Sequence, residues 1–427
     1  MEAIERLPKN KFLRRFLALQ PAPRISEIHG IPNVHKNPWA LRPIVPCHSS
    51  FITGAVKVLE AHIALYLPSY DWIINSSKEF VSNIEEVKPL SRSDVWLVLA
   101  DVEHFYTNVN LDLATTRLEA VMKGKRHIKG LLSVDEARRF MTFVNKNTFL
   151  SYEDVWYKQV KRLAMGVPSS GAIANLFLGW EEKSWLKGCG GPHLLTYLTY
   201  IDDIFCMFKG SKAELDQFLG TMTFFGLKLT FHISRTSCVF LDTVVHKGNP
   251  WDAVFTDLYA KPGNTHIYVS WSSAHPPSVK RAFIKAEMIC RKVICMREQD
   301  YVSSVTEFTK RLKERAYPEV FINVIGGEVD RIPRSLLLAP SDAEDSDEGL
   351  LLLPSHYDKI WFNISTKQID SLFQQGVEEL LPRNNPFTNA QIVKSMCRSS
   401  NLKDFTDAVH KKVLLAEEEA NDEAECR

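Results

Sequence analysis

The sequence predicts an α+β fold, with helices interleaved among strands of antiparallel character rather than wound alternately through a parallel sheet. Three observations predict it. Two apolar runs of strand length, Leu194–Tyr200 and Ile204–Phe208, meet at Asp202–Asp203, as the arms of a hairpin do. A third run, Trp96–Ala100, leads directly into Asp101. Helical patterns at about 111–122, 134–147, 170–187 and 211–225 lie around these strands.

In chain order, residues 1–25 read as a basic amphipathic helix that stops at Pro21 and Pro23. Residues 26–50 read as extended, because Pro32, Pro38, Pro43 and Pro46 exclude a continuous helix. A helix follows from about Thr53 to Leu67, and the alternating stretch Thr148–Leu163 reads as a hairpin. Short strands continue to about residue 258. Past Pro262 the character changes. Residues 278–315 hold ten Lys or Arg against five Asp or Glu. Phe283, Ala286, Cys290 and Val293 recur at helical spacing, with Arg281, Lys285 and Lys292 on another face. That is a basic helical module, running over 259–335. An acidic linker is expected at 336–353, a small helical segment at 354–410, and a disordered acidic tail at 411–427.

Composition narrows the class. The 427 residues are 45% hydrophobic, enough for a large core in two or three domains. The first residues, MEAIERLPKNKFLRRFLALQ, mix charge with apolar residues and do not form a secretory leader. No apolar run approaches the ~20 residues of a membrane-spanning helix, so no membrane partner is expected. The eight cysteines are scattered without a C-x-x-C pair, which argues for a reducing, intracellular setting and against a zinc or disulfide framework. The net charge of +1 conceals an asymmetry. Five carboxylates crowd residues 342–348 and six crowd 417–425; with these eleven set aside, the charge becomes +12. A polyanionic partner suits such a surface.

The carboxylates carry the chemistry. Adjacent aspartates at a tight turn repel one another unless a cation sits between them. Such pairs commonly cap solvated turns, but here Tyr200, Ile201, Ile204 and Phe205 flank the pair with apolar side chains. A second strand ending in Asp101 supplies a third carboxylate. Clustered carboxylates hold Mg²⁺ together with substrate phosphates, and two such ions ~3.5–4 Å apart serve phosphoryl transfer.

The motif YIDDIF, with DVEHFYTN about a hundred residues upstream, resembles the palm of reverse transcriptases. The other motifs follow in the family's order. HK with LRPIVPCHSS resembles the fingers motif that holds the incoming triphosphate; AMGVPSSGAIANLFL resembles the template- and nucleotide-aligning loop with its helix; FLDTVV resembles the strand that grips the primer end. The pattern is most similar to Penelope-like retroelement reverse transcriptases, relatives of telomerase. It continues through LYAKPGNTHIYVSWSSAHPPSVKRAFIKAEMICRKVICMREQDY and RLKERAYP, covering much of residues 30–318.

The resemblance implies a right-hand polymerase fold: fingers and antiparallel-sheet palm at 26–258, helical thumb at 259–335, then a small helical C-terminal appendage. It implies an RNA-directed DNA polymerase acting on an RNA template with a DNA primer, dNTPs and two Mg²⁺ or Mn²⁺ ions. Asp101, Asp202 and Asp203 would be catalytic and, with the Val102 carbonyl, metal ligands. Lys36 and Arg42 would contact the triphosphate, Arg through its fork of donors. Tyr106 would exclude a ribose 2′-OH, and Met165 and Gly166 would line the nucleotide pocket. Lys228 is a candidate proton donor to pyrophosphate. Lys280, Arg281, Lys285 and Lys292 would track the nucleic-acid backbone. His275–Pro276 resembles the start of the thumb. Nuclear residence follows from the family alone. The sequence departs from the family at Thr199, where Arg commonly precedes YIDD, and at Gly171, where a larger residue is frequent. No GIY-YIG endonuclease motif follows residue 330, so target cleavage is not expected. Family members usually carry more sequence ahead of the fingers motif. Two alternatives stay open: a catalytically impaired nucleic-acid-binding remnant, and RNA-templated RNA synthesis, against which the bulk of Tyr106 argues. Oligomeric state is not legible.

Overall fold

The computed structural model describes residues 24–33, 40–47, 50–87, 95–128, 130–189, 193–224, 226–248, 254–261, 264–339, 350–356, 371, 375 and 391–397. The helix expected over 1–25 falls outside these residues except at Arg24 and Ile25, and the tail at 411–427 falls outside altogether. The chain divides into two compact units, Met1–Ser272 with Ala282–Leu338, and Ser273–Arg281 with Ala339–Arg427.

The first unit is α+β, as the sequence predicts. It opens with β1 (Ser26–Glu27), β2 (His29–Asn33) and β3 (Ala40–Ile44), the last two pairing antiparallel across the Pro-rich stretch. Helices α1 (Thr53–Ala64) and α2 (Ser77–Glu85) lead to β4 (Val95–Val102). Next come α3 (Phe105–Asn108), α4 (Leu111–Gly124), α5 (Val134–Lys146) and the hairpin β5 (Phe149–Tyr152) and β6 (Val155–Lys158). The long α6 (Pro168–Cys189) precedes β7 (Leu194–Tyr200), β8 (Asp203–Lys209), α7 (Lys212–Thr221) and β9 (Leu229–Ser234). Polar caps start several helices. Ser133 with Glu136 and Ser211 with Glu214 form capping boxes, and Ser76 and Asn110 accept from the third residues of their helices. Each cap is worth about 1 kcal/mol.

The central sheet has the order β7-β8-β4-β9, and every pair in it is antiparallel. β4 is buried on both faces, which is why it reads as a continuous apolar run rather than an alternating one. Val98, Ala100 and Val102 face the larger core beneath α1, α4 and α6. Val95 and Leu97 face a second core with Phe80, Phe205, Met207 and Phe240. That second face is covered by α2 and by a smaller antiparallel sheet of β10 (Ser237–Phe240), β11 (Thr243–Lys247) and β12 (Val254–Leu258).

Two buried polar groups tie α1 and α6 into this frame. Glu182 on α6 accepts hydrogen bonds from Trp72 Nε1 (2.6 Å), Tyr197 OH (2.8 Å) and Thr199 Oγ1 (2.6 Å). Burial raises its pKa and the three donors oppose that rise. The short hydroxyl at 199 is thus satisfied by Glu182. His62 on α1 is fully buried, and its Nδ1 accepts the Leu132 N–H at 3.3 Å. Burial pushes its pKa down to about 4, against an opposing pull from Glu136. A histidine depressed in the fold contributes stability that is complete above its unfolded pKa of about 6.5 and lost as pH falls toward 4. The loss is about 3 kcal/mol. Urea unfolding of the wild type at pH 7 and pH 4 should show this excess loss relative to His62→Gln.

Beyond β12 the chain is helical: α8 (Pro277–Ile294), α9 (Glu298–Glu314), α10 (Glu319–Asp330) and α11 (Arg334–Leu338). Ile284, Met288, Phe308, Leu312, Ile325 and Val329 form its own small core. Its root is pinned to the sheet by Thr256 Oγ1, which donates to Ile294 O (2.6 Å), and by Met296 N, which donates to Thr256 O (3.1 Å).

The C-terminal expectation needs correction. Leu350–His356 and Gln391–Cys397 pair as parallel strands, β13 and β14, where the sequence reads linker and helix; residues 371 and 375 are helical. Short apolar runs such as Leu350–Leu353 and Ile392–Val393 fit either structure, and only a partner forty residues away decides. Among the described residues no helix is long and apolar enough to cross a membrane.

Candidate active site

The carboxylates sit where the cover over the sheet ends. Asp101 and Asp203 are direct cross-strand partners on β4 and β8, and Thr230 of β9 stands opposite Asp101 on the other side. By strand alternation these three share a face with Leu97, Phe205 and His232. The second core covers that face only as far as Val239 and Leu241, and a cavity of about 280 Å³ opens there beside Asp101, Asp203, Thr230 and His232. Asp202 occupies the two-residue turn between β7 and β8, where Tyr200 pairs with Asp203. The Val102 N–H donates to the Asp202 carbonyl at 3.0 Å and holds the turn against β4.

The backbone is strained on both sides of this cluster. Ile201 has φ 56° and His104 φ 52°. A β-branched residue there is a true outlier, costing on the order of 1–3 kcal/mol. The electrostatics are equally unfavourable. Burial pushes Asp203 up to about 6, with the charges of Asp202 and Asp101 adding and Lys261 opposing. Burial likewise raises Asp202; its own backbone amide and Arg42 oppose, and Asp101 adds.

The remaining expected residues lie on three segments: a strand, a helical turn and a loop. Arg42 lies on β3 and its charge reaches Asp202. Just past β3, the Val45 N–H donates to Met165 O at 2.8 Å and ties in the loop that carries Gly166. Gly166 has φ 93°, and a Cβ there would fall 2.6 Å from the Val45 carbonyl oxygen. Only glycine fits, since both the conformation and the close approach exclude a side chain. Gly166→Ala should therefore displace the loop from β3 and raise the KM for nucleotide at least tenfold in steady-state extension, with a smaller change in melting temperature. Tyr106 lies on α3, half-buried, with its carbonyl accepting the Leu163 N–H at 3.1 Å. Burial raises its pKa, and the Asp202 and Tyr200 charges add. Lys36 lies outside the described residues.

Other expected residues are placed differently. Lys228 donates to both oxygens of Glu103 at 2.9 Å, so the candidate proton donor is held in an ion pair. The expected backbone-tracking lysines are mostly structural. Lys280 is 7% exposed and donates to the Ser273 carbonyl at 2.8 Å. Lys292 donates to the Val329 and Asp330 carbonyls at 3.0 Å, closing the C-terminus of α10. Lys285 pairs with Glu328 at 3.6 Å, and Arg281 is half-buried. Helical periodicity identified their face but not these partners. Instead, Arg311 and Arg315, one turn apart at the end of α9, line a cavity of about 520 Å³ with Asn264, Thr265 and His266. Arg311 Nη1 is buried without a hydrogen-bond partner among the described residues, while its Nη2 pairs with Glu307 one turn back.

Sequence reasoning missed Thr230, His232 and Lys261. Alternation along LTFHIS could have placed the first two on the Asp101 face. Nothing local marks Lys261, which reaches the carboxylates only through the fold. Among the described residues no three His, Cys, Asp or Glu side chains form a ready-made metal cage. The donor set suits a hard cation: oxygen donors, mutually repelling, beside an open cavity.

The model of the family described as reverse transcriptase (RNA-dependent DNA polymerase) matches residues 34–250. A second, described as an animal helix-turn-helix domain, matches residues 267–325. Among solved structures, a telomerase from Candida albicans, in complex with a fragment of telomeric RNA, superposes with TM-score 0.51 at 10% identity. It covers 72% of this chain and 56% of that one. A telomerase from Candida Tropicalis, truncated of its C-terminal domain, gives 0.42 at 12% identity and covers 60% of each chain. The chain thus spans a little over half the length of these telomerase chains. No curated protein matches it.

Proposed function

Because the chain belongs to the reverse transcriptase (RNA-dependent DNA polymerase) family, we propose that it is an RNA-directed DNA polymerase of Penelope-like type. It extends a primer 3′-OH with dNTPs on an RNA template. One observation carries this reading: Asp101 and Asp203 face each other across β4 and β8, with Asp202 in the turn and Arg42, Tyr106 and Met165–Gly166 at the same end. In this reading residues 26–258 are fingers and palm and 259–335 the thumb.

Asp101, Asp202, Asp203 and the Val102 carbonyl would hold Mg²⁺ or Mn²⁺, which when bound supplies charge for the attacking and leaving oxygens. The chain's own residues do the rest by position. The guanidinium of Arg42 donates to the triphosphate, with Lys36 as a second cation. Gly166 brings backbone against the nucleotide, and the ring of Tyr106 fills the space a 2′-OH needs. Lys261 offsets the carboxylate charge beside Asp203. Arg311 and Arg315, rather than Lys280 or Lys292, hold backbone phosphate at the thumb. Replacing both arginines by Gln should weaken template–primer binding and flatten its log-affinity versus log-salt slope by about 0.9 per lost phosphate contact. Lys285→Gln with Lys292→Gln should lower the melting temperature and leave the slope alone.

The test is primer extension by purified protein on RNA and DNA templates, with dNTPs or rNTPs and Mg²⁺ or Mn²⁺. Extension on RNA with dNTPs is expected. Tight template–primer binding without extension under every metal and salt condition would replace this reading with a non-catalytic nucleic-acid-binding remnant.

A further inference from the structure

We propose that the β5–β6 hairpin is a binding site for single-stranded nucleic acid, in which an unpaired base stacks on Trp156 and Lys158 neutralises the adjoining phosphate. The inference rests on the polymerase reading, and the occupant it commits to is the unpaired template strand ahead of the nucleotide pocket.

Large apolar side chains scattered singly over a surface need no explanation. Here five fall within nine consecutive residues: Tyr152, Val155, Trp156, Tyr157 and Val160 are all exposed, Trp156 at 73% and Val160 at 81%. Every residue of β6 is exposed, and β6 is the edge of its sheet, whose order is β1-β5-β6. Trp156 and Lys158 are two residues apart and so share one face. Across the hairpin Lys158 stands opposite Phe149, with its Nζ 5.4 Å from that ring centroid, and Phe51 lies 5.8 Å further on. Aromatic faces beside a cation are how chains hold single strands without reading their sequence. Lys161 and Arg162, both exposed, extend the positive charge toward the body of the protein. The two acids of the hairpin, Glu153 and Asp154, are confined to its tip.

Position selects the occupant. Arg162 Nη1 donates to Asn108 O at 3.1 Å, Leu163 N–H to Tyr106 O at 3.1 Å, and Val45 N–H to Met165 O at 2.8 Å. The chain leaving β6 thus runs within a few residues into the expected nucleotide pocket. A single strand lying on Trp156 and Lys158 meets that pocket along a continuous cationic path. The opposite face of the hairpin, carrying Tyr152, Val155 and Tyr157, has no cation among its strand residues.

The test measures binding of fluorescent RNA–DNA template–primers, either blunt or with a single-stranded template overhang of about six nucleotides. The wild type should bind the overhang form about tenfold more tightly. Trp156→Ala and Lys158→Gln should remove most of that gain, Trp156→Phe should keep it, and Tyr157→Ala on the other face should leave it intact. Trp156 is exposed, so its loss leaves the fold standing, which a melting curve checks. An overhang gain that survives Trp156→Ala overturns the proposal. So does a Trp156→Ala effect confined to sedimentation, because the edge strand would then serve a second copy of the chain. If the gain depends on Trp156 yet no primer is extended, the polymerase reading fails and the hairpin site stands. If primers are extended and the gain ignores Trp156, the reverse holds.

Discussion

Asp202→Asn protein should lose primer extension by on the order of 10³-fold while binding template–primer about as well as wild type. The substitution keeps the shape of the side chain and removes one charge from a cluster whose members already repel. Loss of a ligand oxygen for a cation removes several kcal/mol of stabilisation from the reacting phosphoryl group. The same change should make the protein more stable. The Asp202 charge is the second cause, after burial, of the elevation of Asp203 to about 6. A carboxylate held above its ordinary value destabilises the fold as pH rises through that value, because the unfolded chain gives up its proton sooner. With chelator at pH 7.5, Asp202→Asn should therefore melt above the wild type, and the gap should narrow as pH falls below 6, where Asp203 of the wild type takes up its proton. Added Mn²⁺ should raise the wild-type melting temperature and move the variant much less. An inactive variant that is also less stable, with no pH dependence to its difference, would mark Asp202 as a packing residue instead. Strain at Ile201 and His104 beside the same cluster fits the first outcome, since function and stability are opposed there.

What was legible in the sequence divides by range. The central strands were legible because β4, β7 and β8 are apolar runs of strand length, and their meeting with aspartates was visible as adjacency. Pairing of Asp101 with Asp203 was not, since register across a hundred residues leaves no local trace. Arg42, Tyr106 and Met165–Gly166 carry no signal alone; their order along the chain supplied it. Residues 259–335 were legible as a helical module, but the partners of their lysines were not. Periodicity tells which face a lysine is on, but not that Lys292 ends on the carbonyls of Val329 and Asp330 or that Lys280 folds back to Ser273. A long flexible ammonium finds the nearest unpaired carbonyl, and that carbonyl is set by tertiary structure. The β13–β14 pair was missed for the same reason as the Asp101–Asp203 register.

Tyr106→Ala should admit ribonucleotides, lowering discrimination against rNTPs by on the order of 10²-fold or more, with dNTP extension falling less than tenfold. The geometry makes the ring the discriminating part. Tyr106 is the second residue of a single helical turn, Phe105–Asn108, capped by the strained His104. Its carbonyl fixes the loop at Leu163, and its hydroxyl stands 3.7 Å from where a Cβ on Gly171 would lie. The ring therefore lies near both α6 and the Asp202 turn, and in the proposed function a nucleotide sugar beside Asp202 would meet it. Tyr106→Phe should discriminate like the wild type, because among the described residues the hydroxyl has no hydrogen bond to hold the ring in place. Gly171→Ala should be tolerated, its methyl reaching only ordinary contact with the hydroxyl. A larger residue at 171 should push the ring toward the sugar and raise the KM for dNTPs. Removing a half-buried aromatic costs about 2–3 kcal/mol of stability, so retained dNTP extension is the control that separates an opened gate from a collapsed site. If Tyr106→Ala extends with dNTPs and still rejects rNTPs as strongly as the wild type, the discriminating contact lies elsewhere in the pocket, and the preference for deoxynucleotides loses its structural basis at this residue.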